Sequence, residues 1–304
     1  MIIQATEAHT AGMKELWKKC FTQEDPRENE FFFKAEYKPE YGYVLIEDSK
    51  VAAGVCRMPH ALMFNGRVLR TSMIVGVATL PEYRNRGYMH QIMDTVLNAC
   101  EHSELITLVQ AYDPSLYAPY GFEMIYKRSE YVLTRMDVKR ITNFGCAYEP
   151  TPIDMLKVYS AFIRRFNGFY ARDLNDFEVL RKEIIARGGK VVAYYNGKNQ
   201  IMGYATMFKQ GAYLKIEECV YLDSMSLIKL LNAALQERAT VILNVSQAEN
   251  LSVLFPNAGV KIIGSTMARL NNPQLFSRLF RTPVHTIQDA YVLSAKPLNL
   301  NETM

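Results

Sequence analysis

The sequence predicts an α+β protein built on a mixed, mostly antiparallel sheet, and it predicts that plan twice. Residues 1–134 read as strand, two helices, three strands, helix, strand, short helix and strand, an order with too few crossover helices for a parallel sheet. Residues 154–245 repeat it as two helices, three strands, helix and strand, the pattern of an internal duplication. Between strand and helix of the first copy lies "VATLPEYRNRGYMHQIM", residues 77–93. There a run of small and branched residues breaks at a proline and restarts with helical periodicity.

Each element has its own signal. Residues 1–4 form a short strand, and 8–21 an amphipathic helix that places Met13, Leu16, Trp17 and Cys20 on one face. A second helix over 28–37 stops before Pro39. "YGYVLIEDSKVAAGVCRM" makes two strands about the polar turn Glu47-Asp48-Ser49-Lys50, and "FNGRVL" adds an Asn-Gly turn before a strand over 71–79. A helix over 88–102, an apolar strand over 105–110, a short helix over 114–120 ending at Gly121 and a strand over 122–134 complete the first copy. The turn-rich "ITNFGCAYEPTP" separates it from helices over 154–166 and 176–187 and strands over 190–195, 201–208 and 212–222. A helix over 224–238 and a strand over 240–245 close the second copy, and one more strand is expected over 289–295.

The chain has 304 residues, 49% hydrophobic and 22% charged, enough for two cores. Its net charge of +4 is scattered in both signs, so neither nucleic acid nor a membrane surface is indicated as a partner. The five cysteines, Cys20, Cys56, Cys100, Cys146 and Cys219, form no CxxC pair, and the histidines have no ligand spacing, so no metal site or disulfide framework is expected. The opening "MIIQATEAHT" lacks a basic region followed by an apolar run, and no stretch approaches a membrane span, which implies a cytoplasmic protein.

The loop between strand and helix raises a physical question. Arg84, Asn85, Arg86 and Gly87 stand at the mouth of a helix whose dipole is already positive there, which is unfavourable unless an anion lies between the arginines and the free amides. Gly87 permits close approach of the backbone, and neither GxxxxGK[ST] nor GxGxxG occurs. Taken alone, Arg84 and Arg86 also fit solvated surface charges. The corresponding loop of the second copy reads Asp223-Ser224-Met225-Ser226, with no glycine and no base.

"RNRGYM" after "VATLPEY" resembles the Arg/Gln-x-x-Gly-x-Gly/Ala loop of the GNAT acyltransferases, with Met89 where many members have glycine or alanine. "LYAPYGF", residues 116–122, resembles the Tyr-x-x-Phe/Tyr-Gly-Phe segment that follows in that fold. The tandem layout, with "IIGSTMARLNNPQLFSRLF" before a tail, is similar to the enhanced-intracellular-survival branch of these N-acetyltransferases. The resemblance implies a catalytic GNAT domain over 1–145, a degenerate one over 146–283 and a tail over 284–304, the remnant of that branch's sterol-carrier-like third domain.

It implies acetyl-CoA as cosubstrate. Backbone groups of Val77 and Thr79 would align the pantetheine arm, and the amides of Arg84, Asn85, Arg86, Gly87, Tyr88 and Met89 would hold the pyrophosphate. Tyr117 matches the family's tyrosine acid; a phenol of pKa ~10 is protonated at neutral pH and can protonate a leaving thiolate. By itself such a tyrosine is more often a packed amphipathic ring than an acid, and the motif position is what points to the acid. For the base, Glu24, Asp25, Glu28 and a water stay open beside the terminal carboxylate of Met304, the group used in the resembled branch. The acceptor is expected among Phe21, Glu24, Asp25, Phe31 and Phe32. Carboxylates there would attract a cationic amine of aminoglycoside or polyamine type, while apolar walls favour its neutral form. The loop argues against an aminoacyl-tRNA-dependent transferase, whereas a coenzyme-binding sensor without turnover stays open. A homo-oligomer is implied because that branch forms rings.

Overall fold

The computed structural model describes residues 1–300 and 302; the expectation for the Met304 carboxylate lies outside them. In chain order come β1 (Ile2–Gln4), α1 (Thr10–Cys20), α2 (Pro26–Phe31), β2 (Gly42–Glu47), β3 (Lys50–Phe64), β4 (Arg67–Thr79), α3 (Tyr88–Glu101), β5 (Ile106–Val109) and β6 (Glu123–Thr134). They are followed by β7 (Cys146–Tyr148), α4 (Pro152–Phe162), β8 (Phe169–Tyr170), α5 (Leu174–Ala186), β9 (Lys190–Tyr195), β10 (Ile201–Gln210), β11 (Tyr213–Tyr221), α6 (Ser224–Glu237) and β12 (Thr240–Ser246). The chain then adds β13 (Gly259–Leu270), α7 (Pro273–Phe280) and α8 (Ile287–Val292). The polar turns act as expected: Asp48, Ser49 and Asn65 take positive φ between β2, β3 and β4.

All strands among the described residues join one sheet in the order β1-β2-β3-β4-β5-β13-β6-β12-β11-β10-β9-β7, with β8 paired to β3. Two pairs in that central path are parallel. β4 runs with β5, from Thr71 opposite Ile106 to Ile74 opposite Val109, and β11 runs with β12, from Tyr213 opposite Thr240 to Ile216 opposite Leu243. Each pair is bridged by a crossover helix of 14 residues, α3 and α6. The duplication read from the sequence is therefore visible as two like units side by side. Two apolar clusters result. Met13, Val55, Met73 and Ile92 belong to one, and Leu133, Phe177, Tyr204 and Leu230 to the other.

β13 joins the two units. It lies between β5 and β6, pairing Leu270 with Ile106 on one side and Gly259 with Val132 on the other. Two expectations are corrected. Residues 289–295 do not form a strand: Thr286 accepts from Asp289 N and Asp289 accepts from Thr286 N, a capping box that starts α8, and Ile287, Ala290 and Tyr291 bury one helical face. The single helix expected over 28–37 becomes α2 followed by a π turn over Phe32–Glu36, closed by Tyr37 N donating to Phe32 O at 2.8 Å.

Candidate active site

The β4–β5 ladder stops at Ile74 and Val109, while β4 continues to Thr79 paired only to β3. The strands thus open like a V at the residues where the loop begins. Just past the last shared pair, register slips between Cys56–Val75 and Gly54–Ala78, so β4 carries one extra residue. Gly76 supplies the needed φ of +63°, and a Cβ there would lie 2.0 Å from Trp17 Cζ2, so only glycine allows the indole to sit on the bulge. Trp17 is held in turn by Phe32, stacked at 4.6 Å.

Beyond the V, Asn85 (φ +62°) and Gly87 (φ +75°) curl the chain into α3. No side chain caps that helix, and nothing lies within 4 Å of where a Gly87 Cβ would be. The arginines are parked locally: Arg84 Nε donates to Thr79 O, and Arg86 Nη2 to Glu82 O, both at 3.3 Å, with the Arg86 guanidinium over Tyr83. Tyr88 opens the helix and its ring stacks toward Tyr83 at 6.4 Å; Met89 is half-buried behind it. At α6 the same position is filled from within, because Asp223 accepts from Ser226 N at 2.7 Å. The open mouth fits a pyrophosphate and the filled one does not.

A cavity of about 920 Å³ lies against the V, with Val75, Gly76 and Val77 in its wall. Trp17, Phe21, Glu24, Glu28, Phe32 and Glu36 line it from the first helices, and Arg172, Asp176 and Glu183 from the second unit. Eight carboxylates line it against the cations Lys38 and Arg172. Tyr117 lines it too, 8% exposed, and burial pushes its phenol up to about 12, so it is protonated throughout the physiological range. The Tyr112 hydroxyl donates to Glu24 Oε1 at 2.9 Å, linking the two sides.

Of the sequence candidates, Phe21, Glu24, Glu28, Phe32, Val77 and Tyr117 meet at this cavity. Asp25 and Phe31 are not in its wall. Asp25 caps α2 and is held by Arg27 at 2.7 Å, and Phe31 is buried. Thr79 and residues 84–89 lie outside the cavity, along the loop that leads from the open strand edge.

Sequence reasoning missed several groups here. His60, Tyr170, Ser265 and Glu302 line the cavity, and His60 Nε2, the Tyr170 hydroxyl, Ser265 Oγ and Glu302 Oε2 are buried without a hydrogen-bond partner among the described residues. His60 stacks on Tyr170 at 4.2 Å, and burial, aided by Arg172, pushes its pKa down to about 4, so the ring is neutral. Glu302 arrives on the tail. Asn167 N donates to Pro297 O and Asn299 N to Asn167 O; Gln110 Nε2 and Arg128 Nη2 then both donate to Glu302 O at 2.7 Å. Arg172 binds its carboxylate at 3.0 Å. No local pattern announces such contacts, because each joins elements over a hundred residues apart or lies on a short tail.

An open parallel pair, a bulge at its end and an uncapped crossover helix give the first unit a GNAT-like fold. Residues 1–125 match the family model described as an acetyltransferase (GNAT) domain. No curated protein matches the sequence. Among solved structures, a probable N-acyltransferase from Enterococcus faecalis V583 is similar at 20% identity and TM-score 0.77, over 90% of this chain and 72% of that one. Eis1 from Mycobacterium abscessus is similar at 14% identity and TM-score 0.69, over 91% and 75%. A tandem GNAT protein from the clavulanic acid biosynthesis pathway gives 12% identity and TM-score 0.55, over 90% and 98%. At these identities the structural likeness establishes the fold. No metal-binding cluster occurs among the described residues, and no helix in them is long and apolar enough to cross a membrane.

Proposed function

We propose that this protein is an acetyl-CoA-dependent N-acetyltransferase that acylates a primary amine of a small cationic acceptor, of aminoglycoside or polyamine type. One observation carries the reading: an open strand end, from which a loop leads to an uncapped helix mouth, adjoins a cavity whose lining is strongly acidic and holds Tyr117. In this reading Arg84, Asn85, Arg86, Gly87, Tyr88 and Met89 hold the pyrophosphate, and Val77 and Thr79 align the pantetheine arm within residues 1–145. Bound acetyl-CoA supplies an activated acyl carbon. Gly76 sets the bulge that positions neighbouring amides, Trp17 and Phe32 exclude water, and Tyr117 holds the proton that a departing thiolate needs. Carboxylates such as Glu24 and Glu28 concentrate the cation. The buried polar atoms without a partner among the described residues, on His60, Tyr170, Ser265 and Glu302, support a polar acceptor, since leaving each unbonded costs about 1–3 kcal/mol.

The test is calorimetric titration with acetyl-CoA, followed by free-thiol release over a panel of mono-, di- and polyamines. Binding with thiol release supports the transferase. Binding with no release across the panel favours a coenzyme sensor, and no binding removes the reading.

A further inference from the structure

We infer that Glu36, on the π turn after α2, is the proton acceptor that converts the bound ammonium to the attacking amine; this rests on the acetyltransferase reading above. Glu36 lines the cavity, half-buried, and among the described residues no hydrogen bond or ion pair holds its carboxylate. Its placement follows from backbone geometry. The π turn runs from Phe32 to Glu36, and Phe32 stacks on Trp17, which lies on the Gly76 bulge. Phe32 and Glu36, the two ends of this short segment, thus line the same cavity as Val75, Gly76 and Val77 at the open strand end.

The three side-chain carboxylates that the sequence left open, Glu24, Asp25 and Glu28, are otherwise engaged, as is the neighbouring Glu183. Asp25 is bound to Arg27, Glu24 accepts from Tyr112, and Glu28 and Glu183 both bind Arg187, Glu28 at 3.6 Å and Glu183 at 2.9 Å. The charged groups that face Glu36 are Glu183 from α5 and Glu28 from α2, with Lys38 in the cavity wall two residues on. Arg187 spends its guanidinium on Glu28, Glu183 and Glu217, so no cation among the described residues pairs with Glu36. Desolvation first, then Glu183 and Glu28, raise its carboxyl to about 7, which leaves it able to accept a proton near neutrality and to return it to solvent.

The chemistry balances. The ammonium N–H proton passes to the Glu36 carboxylate, directly or through one water, and from there to solvent. The freed lone pair forms the N–C bond to the thioester carbonyl carbon, and the C–S bond breaks. The thiolate takes the phenolic proton of Tyr117, and the second proton, shed by the nitrogen as it becomes an amide, restores the phenol.

The experiment compares wild type, Glu36→Gln and Glu36→Asp in kcat/KM against pH, using two acceptor amines that differ in their own pKa. The wild-type profile should rise through a limb near 7 that stays fixed when the amine is changed, while the amine's limb moves. Glu36→Gln should lose the fixed limb and fall by about 10²–10⁴-fold, with acetyl-CoA affinity unchanged and Tm no lower than that of wild type, and Glu36→Asp should recover part of the rate with the limb displaced. A Glu36→Gln enzyme with an undiminished rate or an intact fixed limb overturns the inference while leaving the transferase reading standing. Wild type that binds acetyl-CoA and releases no thiol overturns both.

Discussion

Tyr117 and Glu249 show how one side chain's surroundings set what it can do. With its phenol raised to about 12 by burial, Tyr117 is protonated at neutral pH, the form that the proposed acid role requires. Tyr117→Phe is expected to lower kcat by about 10²–10⁴-fold while calorimetric affinity for acetyl-CoA is unchanged. Undiminished turnover would remove Tyr117 from the chemistry. Glu249, 7% exposed, accepts from the Tyr221 hydroxyl at 2.7 Å, and burial raises its carboxyl to about 7. The folded state therefore favours its protonated form. Its penalty is absent below the unfolded pKa of about 4.5 and complete above about 7, amounting to roughly 3 kcal/mol. Glu249→Gln should gain stability over wild type progressively from pH 5 to pH 8 in urea titrations, with the two converging at pH 4. A constant difference across that range would contradict the shift.

At the scale of elements, α3 and α6 are the same helix with opposite ends. Each follows the first strand of a parallel pair, but α6 carries Asp223 in the position where α3 has Gly87. Arg86→Glu with Gly87→Asp gives α3 an acidic mouth like that of α6. Aspartate tolerates the positive φ of that position, so the fold should persist by circular dichroism. Acetyl-CoA should bind at least about 100-fold more weakly, through lost charge and a filled helix end; unchanged affinity would end the assignment of the loop. This strand–loop–helix unit was legible from the sequence because its signals are local: a proline, a glycine and a change of period. Most strands and both crossover helices were legible for the same reason. β13 was not, because "GVKIIGSTMARL" becomes a strand only by fitting between β5 and β6, and the π turn was hidden inside a helical pattern. Glu36 and Glu302 escaped with them, since neither sits in a motif. The missed α8 is different: Thr286-x-x-Asp289 is a written capping box, and its short apolar face was read with the wrong period.

Across the whole molecule, Arg172 is the junction. Its guanidinium binds Glu218 at 2.8 Å and Glu302 at 3.0 Å and lies over Tyr159 and Phe177, tying the second unit to the tail at the edge of the cavity. Arg172→Met would leave both carboxylates buried without their counter-charge, and about 3–5 kcal/mol of stability should be lost in urea denaturation. Adding Glu218→Gln and Glu302→Gln should recover part of it, and simple additivity of the three would show that they do not interact.

The placement of β13 also bears on how the chain is made. β5 and β6 are 13 residues apart in sequence, yet they are not neighbours in the sheet; the strand that separates them is completed only at Leu270. While the chain emerges from the ribosome, the first unit's sheet has a gap in its middle, with two strand edges exposed until the second unit has been synthesised. Closing that gap pairs residues more than a hundred positions apart, a slow search that exposes apolar strand edges while it lasts. The cavity at the end of β4, lined by both units, is thereby assembled late, after both have been made.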